Sequence, residues 1–163
     1  DSETGRFESE DCEAFYVKQL ILIRHAEYET PFLTKRGLSQ ARNTGLFLSQ
    51  LDLDRYSFFA SPARRCQQTA AGIAGFPGSR FETLDSLYER NARQTPGEFR
   101  GQARRCLDSL PNFSVCVTHC DVAAEVVCLA TGRCDDGWRI PHGSVTYLDR
   151  RKLVWVGRQI GEE

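Results

Sequence analysis

Methionine is absent from this sequence, and so are long apolar runs. A complete translation product begins with methionine, so we expect the chain to be a processed or excised piece of a longer protein. A targeting segment or membrane anchor could then precede Asp1. No run of about 18 apolar residues occurs, which excludes a bilayer-spanning helix within the chain itself. The apolar stretch at residues 20–23 is too short for the apolar region of a signal peptide.

Cysteine is present, but not in the spacing of a structural zinc site. None of the seven cysteines forms a CxxC pair, so a metal site of that kind is not predicted. Several lie inside apolar stretches, as free buried thiols do. This usage indicates a reducing compartment, so we expect an intracellular protein, either cytoplasmic or mitochondrial.

Charge of one sign is not in excess, because 21 Lys and Arg residues face 22 Asp and Glu residues, for a formal net charge of −1. A molecule with this balance has no bulk attraction to nucleic acid or to an anionic membrane. We expect neither as a partner, so an anionic ligand must be bound by a local cluster of side chains. A homodimer is compatible with the sequence, which leaves the oligomeric state open.

The length and the apolar pattern predict a single α/β domain. Residues 1–16 carry six acidic residues against one arginine and are predicted to form a solvated acidic N-terminal extension to a single domain at 17–163. Apolar runs predict strands at 17–23, 57–60, 81–84 and 113–118, and a hairpin at 144–149 and 153–158. Helices are predicted at 34–51, 61–74, 96–110 and 122–130. This alternation predicts a three-layer α/β/α sandwich with a mainly parallel sheet.

Polar side chains follow three of the predicted strands. Arg24 and His25 follow the first, residues 61–65 follow the second, and Thr118 and His119 follow the fourth. In sheets of this kind, ligands bind beyond the carboxyl ends of the strands. Each feature alone is typical of a solvent-facing corner, a structural histidine or a solvated helix face. Together, two of only three histidines and an arginine at one sheet edge predict an anion site.

Six segments carry a resemblance to a known family. In chain order they are LILIRHAEYE, LTKRGLSQARNTGLFL, SPARRCQQTA, LDSLYER, VCVTHCDV and HGSVTYL. They resemble the ordered sequence blocks of the histidine phosphatase (phosphoglycerate mutase-like) superfamily, from its RHG motif to its N-G-S-V-T block. The chain looks closest to the compact branch that includes Ser/Thr protein phosphatases of mitochondria. The resemblance implies a phosphoglycerate mutase-like fold.

The resemblance assigns three catalytic residues, His25, Glu89 and His119. His25 is expected to attack phosphorus through a neutral ring nitrogen and form a phosphohistidine, with its other nitrogen donating to a backbone carbonyl. Glu89 is expected to protonate the leaving alkoxide and then activate water; the alternative is an exposed ion pair of Glu89 with Arg90. His119 is expected to bind phosphoryl oxygens as an imidazolium, so that the two histidines prefer opposite protonation states.

The phosphate-binding residues implied by the resemblance are Arg24, Arg65 and His119. A planar guanidinium can bind two phosphate oxygens at once. The SPARRCQQTA segment aligns Arg65, and not Arg64, with the second arginine of the family. No metal or other cofactor is predicted, because the arginines supply the charge that Mg²⁺ supplies in kinases.

Three positions depart from the family's pattern. Ala26 replaces the glycine of the RHG motif, which is tolerable if its φ is negative. Cys120 replaces a glycine after the second histidine, and it is either an exposed, oxidisable thiol or a buried, inert one. His142 stands where asparagine is common.

The activity implied by the resemblance is that of a phosphoric monoester hydrolase of the histidine acid phosphatase type. The short segments at 27–32 and 91–111 leave the site open, whereas a mutase needs cover that excludes water. An open site suits Ser/Thr-phosphorylated protein. Four arginines form either a rim for acidic substrate flanks or a solvated helix face: Arg93, Arg100, Arg104 and Arg105. The alternatives are a phosphatase for sugar or nucleoside phosphates and a pseudophosphatase that only binds phosphorylated partners.

Overall fold

The computed structural model describes residues 18–75, 80–134 and 137–161. The predicted acidic extension at residues 1–16 lies outside these ranges. The strands within them are β1 (Gln19–Arg24), β2 (Tyr28–Glu29), β3 (Phe32–Leu33), β4 (Ser57–Ala60), β5 (Phe81–Thr83), β6 (Phe113–Thr118), β7 (Val145–Asp149) and β8 (Lys152–Arg158). The helices are α1 (Lys35–Ser49), α2 (Arg64–Ala74), α3 (Pro96–Ser109) and α4 (Cys120–Thr131), and a 3-10 turn covers Asp85–Leu87.

Six strands form a central sheet in the order β5-β4-β6-β1-β7-β8, and β2 and β3 form a separate hairpin. Strands β5, β4, β6 and β1 are parallel, while β7 and β8 are antiparallel to their neighbours. Arg24 of β1 pairs with Thr118 of β6, and Ala60 of β4 pairs with Val117 of β6. The three strands that precede the predicted site segments therefore end side by side at one edge of the sheet.

Helices cover both faces of the sheet, which confirms the predicted three-layer architecture. Leu20 and Leu22 of β1 pack into the core layer that contains α3 and α4. Ile21 and Ile23 alternate with them and pack into the layer that contains α1 and α2. Because β1 is buried on both faces, its sequence is a continuous apolar run without alternation.

Most predicted elements are confirmed to within a few residues, with two differences at the site. The helix predicted from Ser61 begins at Arg64, with Ala63 at its N-cap and no side-chain cap. Ser61 lies before the helix, where its Oγ accepts from Ala63 N at 3.3 Å and lies 2.9 Å from His119 Nε2. The β2–β3 hairpin was not predicted, since strands of two residues leave no periodicity to recognise.

The cysteines differ in part from the expectation of free thiols. Cys128 and Cys134 form a disulfide, because the left-handed turn at Gly132 (φ 75°) leads the chain back towards helix α4. The expectation is therefore wrong for this pair. Among the described residues the free thiols are Cys66, Cys106 and Cys116, which are buried, and Cys120, which is exposed.

No helix in the described part of the chain is both long and apolar enough to cross a membrane.

Candidate active site

His25 lies directly after β1 and is only 4% exposed. Its Nδ1 lies 3.0 Å from the carbonyl oxygen of Ala26. A carbonyl can only accept, so Nδ1 carries the proton and Nε2 keeps its lone pair. Burial lowers the pKa of His25 to about 3; the Ala26 hydrogen bond opposes this effect, and the charges of His119, Arg65 and Arg24 reinforce it. The imidazole is therefore neutral at physiological pH.

Arg65 projects from the first turn of α2 into the centre of the site. Its Nε lies 3.3 Å from His25 Nε2. Its Nη2 lies 2.5 Å from Glu89 Oε1 and 3.2 Å from His119 Nδ1. The guanidinium carbon lies 5.0 Å from the centroid of the Tyr28 ring. One cation thus contacts the candidate nucleophile, the candidate acid and the second histidine.

Arg24 contributes a second guanidinium from the last position of β1. Its Nη1 donates to the carbonyl oxygen of Ile140 at 2.8 Å. Its buried Nε has no hydrogen-bond partner among the described residues. A buried donor without an acceptor is costly, and a phosphate oxygen would satisfy it. This donor indicates that the site is built for an anion.

His119 forms the N-cap residue of α4 and is 2% exposed. Its Nδ1 faces Arg65, which can only donate, so the proton is on Nε2, 2.9 Å from Ser61 Oγ. Burial lowers the pKa of His119 to about 4, and Arg65 and Arg24 contribute to the shift. Without an anion, His25 and His119 are both neutral, because both are buried beside the same guanidiniums. The imidazolium form of His119 was expected beside a phosphate dianion and stays a prediction for the phosphate-bound site.

Glu89 reaches the site from the segment that follows the 3-10 turn. In addition to its contact with Arg65, its Oε2 lies 3.7 Å from His119 Nδ1. Arg90 turns away, and its Nε and Nη2 donate to the carbonyl oxygen of Gln94 at 3.1 and 2.9 Å. The alternative of an exposed Glu89–Arg90 pair is therefore wrong.

The LTKRGLSQ segment holds the chain that follows His25. Thr34 N donates to the carbonyl oxygen of Glu27 at 3.1 Å, and Glu27 N donates to Gln40 Oε1 at 2.9 Å. A Cβ atom at Gly37 would lie 2.0 Å from the same Glu27 oxygen, so this close approach requires glycine. The segment therefore positions the candidate nucleophile without touching the reaction centre.

The HGSVTYL segment holds the same loop from the opposite side. Gly143 N lies 3.0 Å from the carbonyl oxygen of Arg24 and 3.1 Å from that of His25. Gly143 has a φ of 72°, and a Cβ there would lie 2.8 Å from the Cβ of Gln40. The ring of His142 packs 5.4 Å from that of His25. The HGSVTYL segment therefore supports the loop that carries His25, although the two are far apart in sequence.

These side chains border a cavity of 380 Å³. Its lining residues are Arg24, His25, Tyr28, Glu89, His119, Cys120, Asp121 and His142. The sequence did not single out Tyr28 or Asp121, although each lies within three residues of a predicted histidine. Two larger cavities, of 730 and 440 Å³, lie near the opposite edge of the sheet and contain none of the predicted site residues.

Two departures from the family's pattern are resolved by the structure. Among the non-glycine residues described, a positive φ occurs only at Arg150, so Ala26 has the negative φ that alanine tolerates. Cys120 is exposed and borders the cavity, so the alternative of a buried, inert thiol is wrong.

The proposed arginine rim is not part of this cavity. None of the four arginines lines it. Arg100 instead pairs with Glu125 of α4, with 2.8 Å between Nε and Oε1. Within the described ranges, no group of three or more His, Cys, Asp or Glu side chains is arranged to hold a metal ion.

Comparison with known families decides the assignment. Residues 20–114, more than half of the chain, match the sequence profile of the histidine phosphatase superfamily (branch 1). The chain belongs to the histidine phosphatase superfamily. The matched region contains Arg24, His25, Arg65 and Glu89, four of the five predicted site residues.

Two curated relatives are mitochondrial serine/threonine-protein phosphatases named Pgam5. The chain is 28% identical to that of Drosophila mojavensis over 82% of its own length and 58% of the relative's. It is 26% identical to that of Drosophila ananassae over 90% of its own length and 64% of the relative's. The chain therefore spans less than two thirds of either relative.

Solved structures share the histidine phosphatase fold at low sequence identity. A phosphoserine phosphatase of Entamoeba histolytica superposes with a TM-score of 0.66 at 17% identity, over 85% of this chain and 96% of that one. A mycobacterial glucosyl-3-phosphoglycerate phosphatase superposes with a TM-score of 0.67 at 13% identity, over 89% and 100% of the two chains. At these identities the likeness establishes the fold.

Proposed function

We propose that this chain is a metal-independent phosphomonoester hydrolase that works through a phosphohistidine at His25, with Ser/Thr-phosphorylated protein as its substrate. The proposal rests above all on the orientation of His25. Its Nδ1 is held by the Ala26 carbonyl at 3.0 Å, so the unprotonated Nε2 is the atom that faces Arg65. A neutral, oriented imidazole beside two guanidiniums is what attack on a phosphate ester requires.

In the first step, the Nε2 lone pair of His25 attacks phosphorus. The P–N bond forms as the P–O bond to the leaving group breaks, and Glu89 gives its proton to the departing alkoxide. Arg24 and Arg65 hold the equatorial oxygens, where negative charge is spread. A phosphate dianion would also raise the pKa of His119 and favour its imidazolium form, in which both ring nitrogens donate.

In the second step, the Glu89 carboxylate takes a proton from water as the water oxygen attacks phosphorus. The P–N bond breaks, inorganic phosphate forms and His25 returns to its neutral state. The proton that Glu89 gave to the alkoxide is thereby replaced by one from water. The same carboxyl group therefore serves as acid and then as base.

A protein substrate is supported by the open rim of the site and by the relatives. Tyr28 and Tyr88, whose rings contact His25 and His119, are 38% and 41% exposed. The curated relatives are Ser/Thr-protein phosphatases, and their mitochondrial location is the one that we propose for this chain.

A small-metabolite phosphatase is the second candidate. A cavity of 380 Å³ falls within the usual size of small-molecule sites, about 300–1,000 Å³. The structural neighbours that act on phosphoserine or glucosyl-3-phosphoglycerate favour the same class. Turnover of a phosphopeptide panel against sugar phosphates, nucleotides and free phosphoserine separates the two candidates.

The decisive experiment is rapid quenching of the chain with a ³²P-labelled phosphoserine peptide. We expect acid-labile, base-stable phosphate on the protein, absent from His25→Ala and retained in Arg64→Lys, a control at an exposed position. Binding without labelling would identify a pseudophosphatase. Activity is expected to persist in EDTA, because the arginines supply the positive charge; loss in EDTA and recovery with divalent ions would contradict this mechanism.

A further inference from the structure

Glu89 lies on an irregular segment, so contacts from other parts of the chain must hold its backbone in place. It lies between the 3-10 turn and α3, outside any regular helix or strand, and its side chain is 41% exposed. Proton transfer requires the acid to stay within hydrogen-bond reach of the reacting oxygen. A carboxylate on an irregular segment meets this requirement only if the backbone beneath it is held.

Two side chains hold the peptide groups on either side of Glu89. Gln102 Nε2 donates to the carbonyl oxygen of Tyr88 at 2.7 Å, which fixes the peptide group before Glu89. Asp121 Oδ2 accepts from Arg90 N at 2.9 Å, which fixes the peptide group after it. The backbone of Glu89 is therefore clamped from both directions.

Asp121 is itself held by the helix that carries His119. It lies in the first turn of α4, two residues after His119, where the helix N-terminus favours negative charge. Its Oδ1 accepts from Val122 N at 2.8 Å. Both carboxylate oxygens thus already accept backbone N–H groups, an arrangement that suits an anchor.

We propose that Asp121 is a positioning residue that ties the Glu89 segment to helix α4, and so keeps the acid aligned with His25 and His119. The inference rests on the proposed function, in which Glu89 transfers the proton. It assigns no contact between Asp121 and the reacting atoms. Substitution of Asp121 is expected to slow only those steps in which Glu89 transfers a proton.

Two matched esters separate such an effect from a general loss of structure. 4-Nitrobenzyl phosphate releases an alkoxide that needs a proton, whereas 4-nitrophenyl phosphate releases a stabilised phenolate that needs little help. The value of kcat/KM covers the steps up to the phosphohistidine. A displaced acid therefore lowers kcat/KM for the benzyl ester and spares the phenyl ester.

The experiment measures both esters with four variants. Glu89→Gln is expected to lower kcat/KM for the benzyl ester by about 100-fold or more, and Asp121→Ala by about tenfold, each with less than about a twofold loss on the phenyl ester. Asp121→Asn keeps a carbonyl oxygen for Arg90 N and is expected to recover most of the loss. Asp52→Asn, the same change at an exposed position on the opposite edge, is expected to change neither ester.

Four outcomes would overturn the inference. An equal loss of kcat/KM on both esters with Asp121→Ala would show a general loss of structure at the site. A benzyl-ester loss as large as that of Glu89→Gln would make Asp121 the proton donor. A selective loss with Glu89→Gln and none with Asp121→Ala would remove the positioning role and leave the proposed function intact. If Glu89→Gln itself shows no selectivity, the acid assignment of the proposed function fails and the inference falls with it.

Discussion

The buried cations at the two ends of β1 differ in whether their donors have hydrogen-bond partners. Before the amino end of β1, Lys18 is 8% exposed, and its ammonium donates to the carbonyl oxygens of Leu107 and Leu110 at the end of α3. At the carboxyl end, the buried Nε of Arg24 has no acceptor in the described ranges. A cation with matched acceptors supports the fold, whereas one with a free donor is available to a ligand.

The same contrast holds for the uncharged polar groups near each end. At the amino end, Gln19 Oε1 lies 3.0 Å from the hydroxyl of Tyr56 and 3.4 Å from that of Tyr147, so three polar groups satisfy one another. At the carboxyl end, the one described group within hydrogen-bond distance of His25 Nε2 is the guanidinium of Arg65, which we expect to bind phosphate. An acceptor with no hydrogen-bond partner among the described residues, Asp149 Oδ1, is also buried at the amino end beside Gln19, but an acceptor does not bind an anion. The comparison teaches that the unpaired cationic donor, Arg24 Nε, lies at the end of the strand where the candidate site is.

The comparison predicts its largest effect for His25→Ala. This variant removes the one atom able to form the P–N bond, so turnover is expected to fall by about 10⁴-fold or more. Steady-state hydrolysis of a phosphoserine peptide measures turnover, and unfolding in urea checks that the variant is folded. Turnover within about tenfold of the parent would contradict the role of His25.

The next largest effect is expected for Arg65→Lys. Lysine keeps the charge but loses the planar fork that binds two phosphate oxygens, so kcat/KM is expected to fall by about 100-fold. The neighbouring Arg64 is exposed and provides a matched control. Arg64→Lys is expected to stay within about twofold of the parent, and similar losses in both variants would break the assignment.

A smaller effect is expected from pH, because both buried histidines are neutral in the folded chain. Their folded-state pKa values of about 3 (His25) and about 4 (His119) lie below the ordinary 6.5, so the unfolded chain binds protons first as the pH falls. Their contribution to stability is fully present above pH 6.5 and is lost as the pH falls towards 4 and then 3. Between pH 6.5 and its folded-state pKa, each histidine lowers the free energy of unfolding by about 1.4 kcal/mol for every unit by which the pH falls.

Urea titrations at pH 7, 6 and 5 in a phosphate-free buffer measure this slope. His25→Gln removes one of the two groups, so its slope is expected to be shallower than that of the parent. An identical slope in the two proteins would show that His25 does not carry a lowered pKa.

The smallest effect on activity is expected at the amino end. Lys18→Met leaves two buried carbonyl oxygens without their donor, so the free energy of unfolding is expected to fall by about 1–3 kcal/mol. The value of kcat/KM is expected to stay within about twofold at a temperature where the variant is folded. Lys35→Met, an exposed control on α1, is expected to change neither property. A loss of activity in Lys18→Met without a loss of stability would contradict the purely structural role of the amino end of β1.

Elements with long apolar patterns could be predicted from the sequence, and short irregular ones could not. Strands β4 and β6 have the predicted bounds, because their apolar runs end abruptly in polar residues. The β2–β3 hairpin, which brings Tyr28 to the site, has no such pattern. The contact of Arg65 with Glu89 spans 24 residues of sequence and two loops, so no local signal could reveal it.

The sequence by itself determined which residues stand beyond the strand ends and which family they resemble. Both follow from apolar runs and short motifs, which are properties of neighbouring residues. Only the tertiary structure decided that His25 and His119 share the neutral state, that Glu89 pairs with Arg65 in place of Arg90, and that Asp121 anchors the acid's segment. The physical reason is that burial and Coulomb interactions depend on groups brought together from distant parts of the chain.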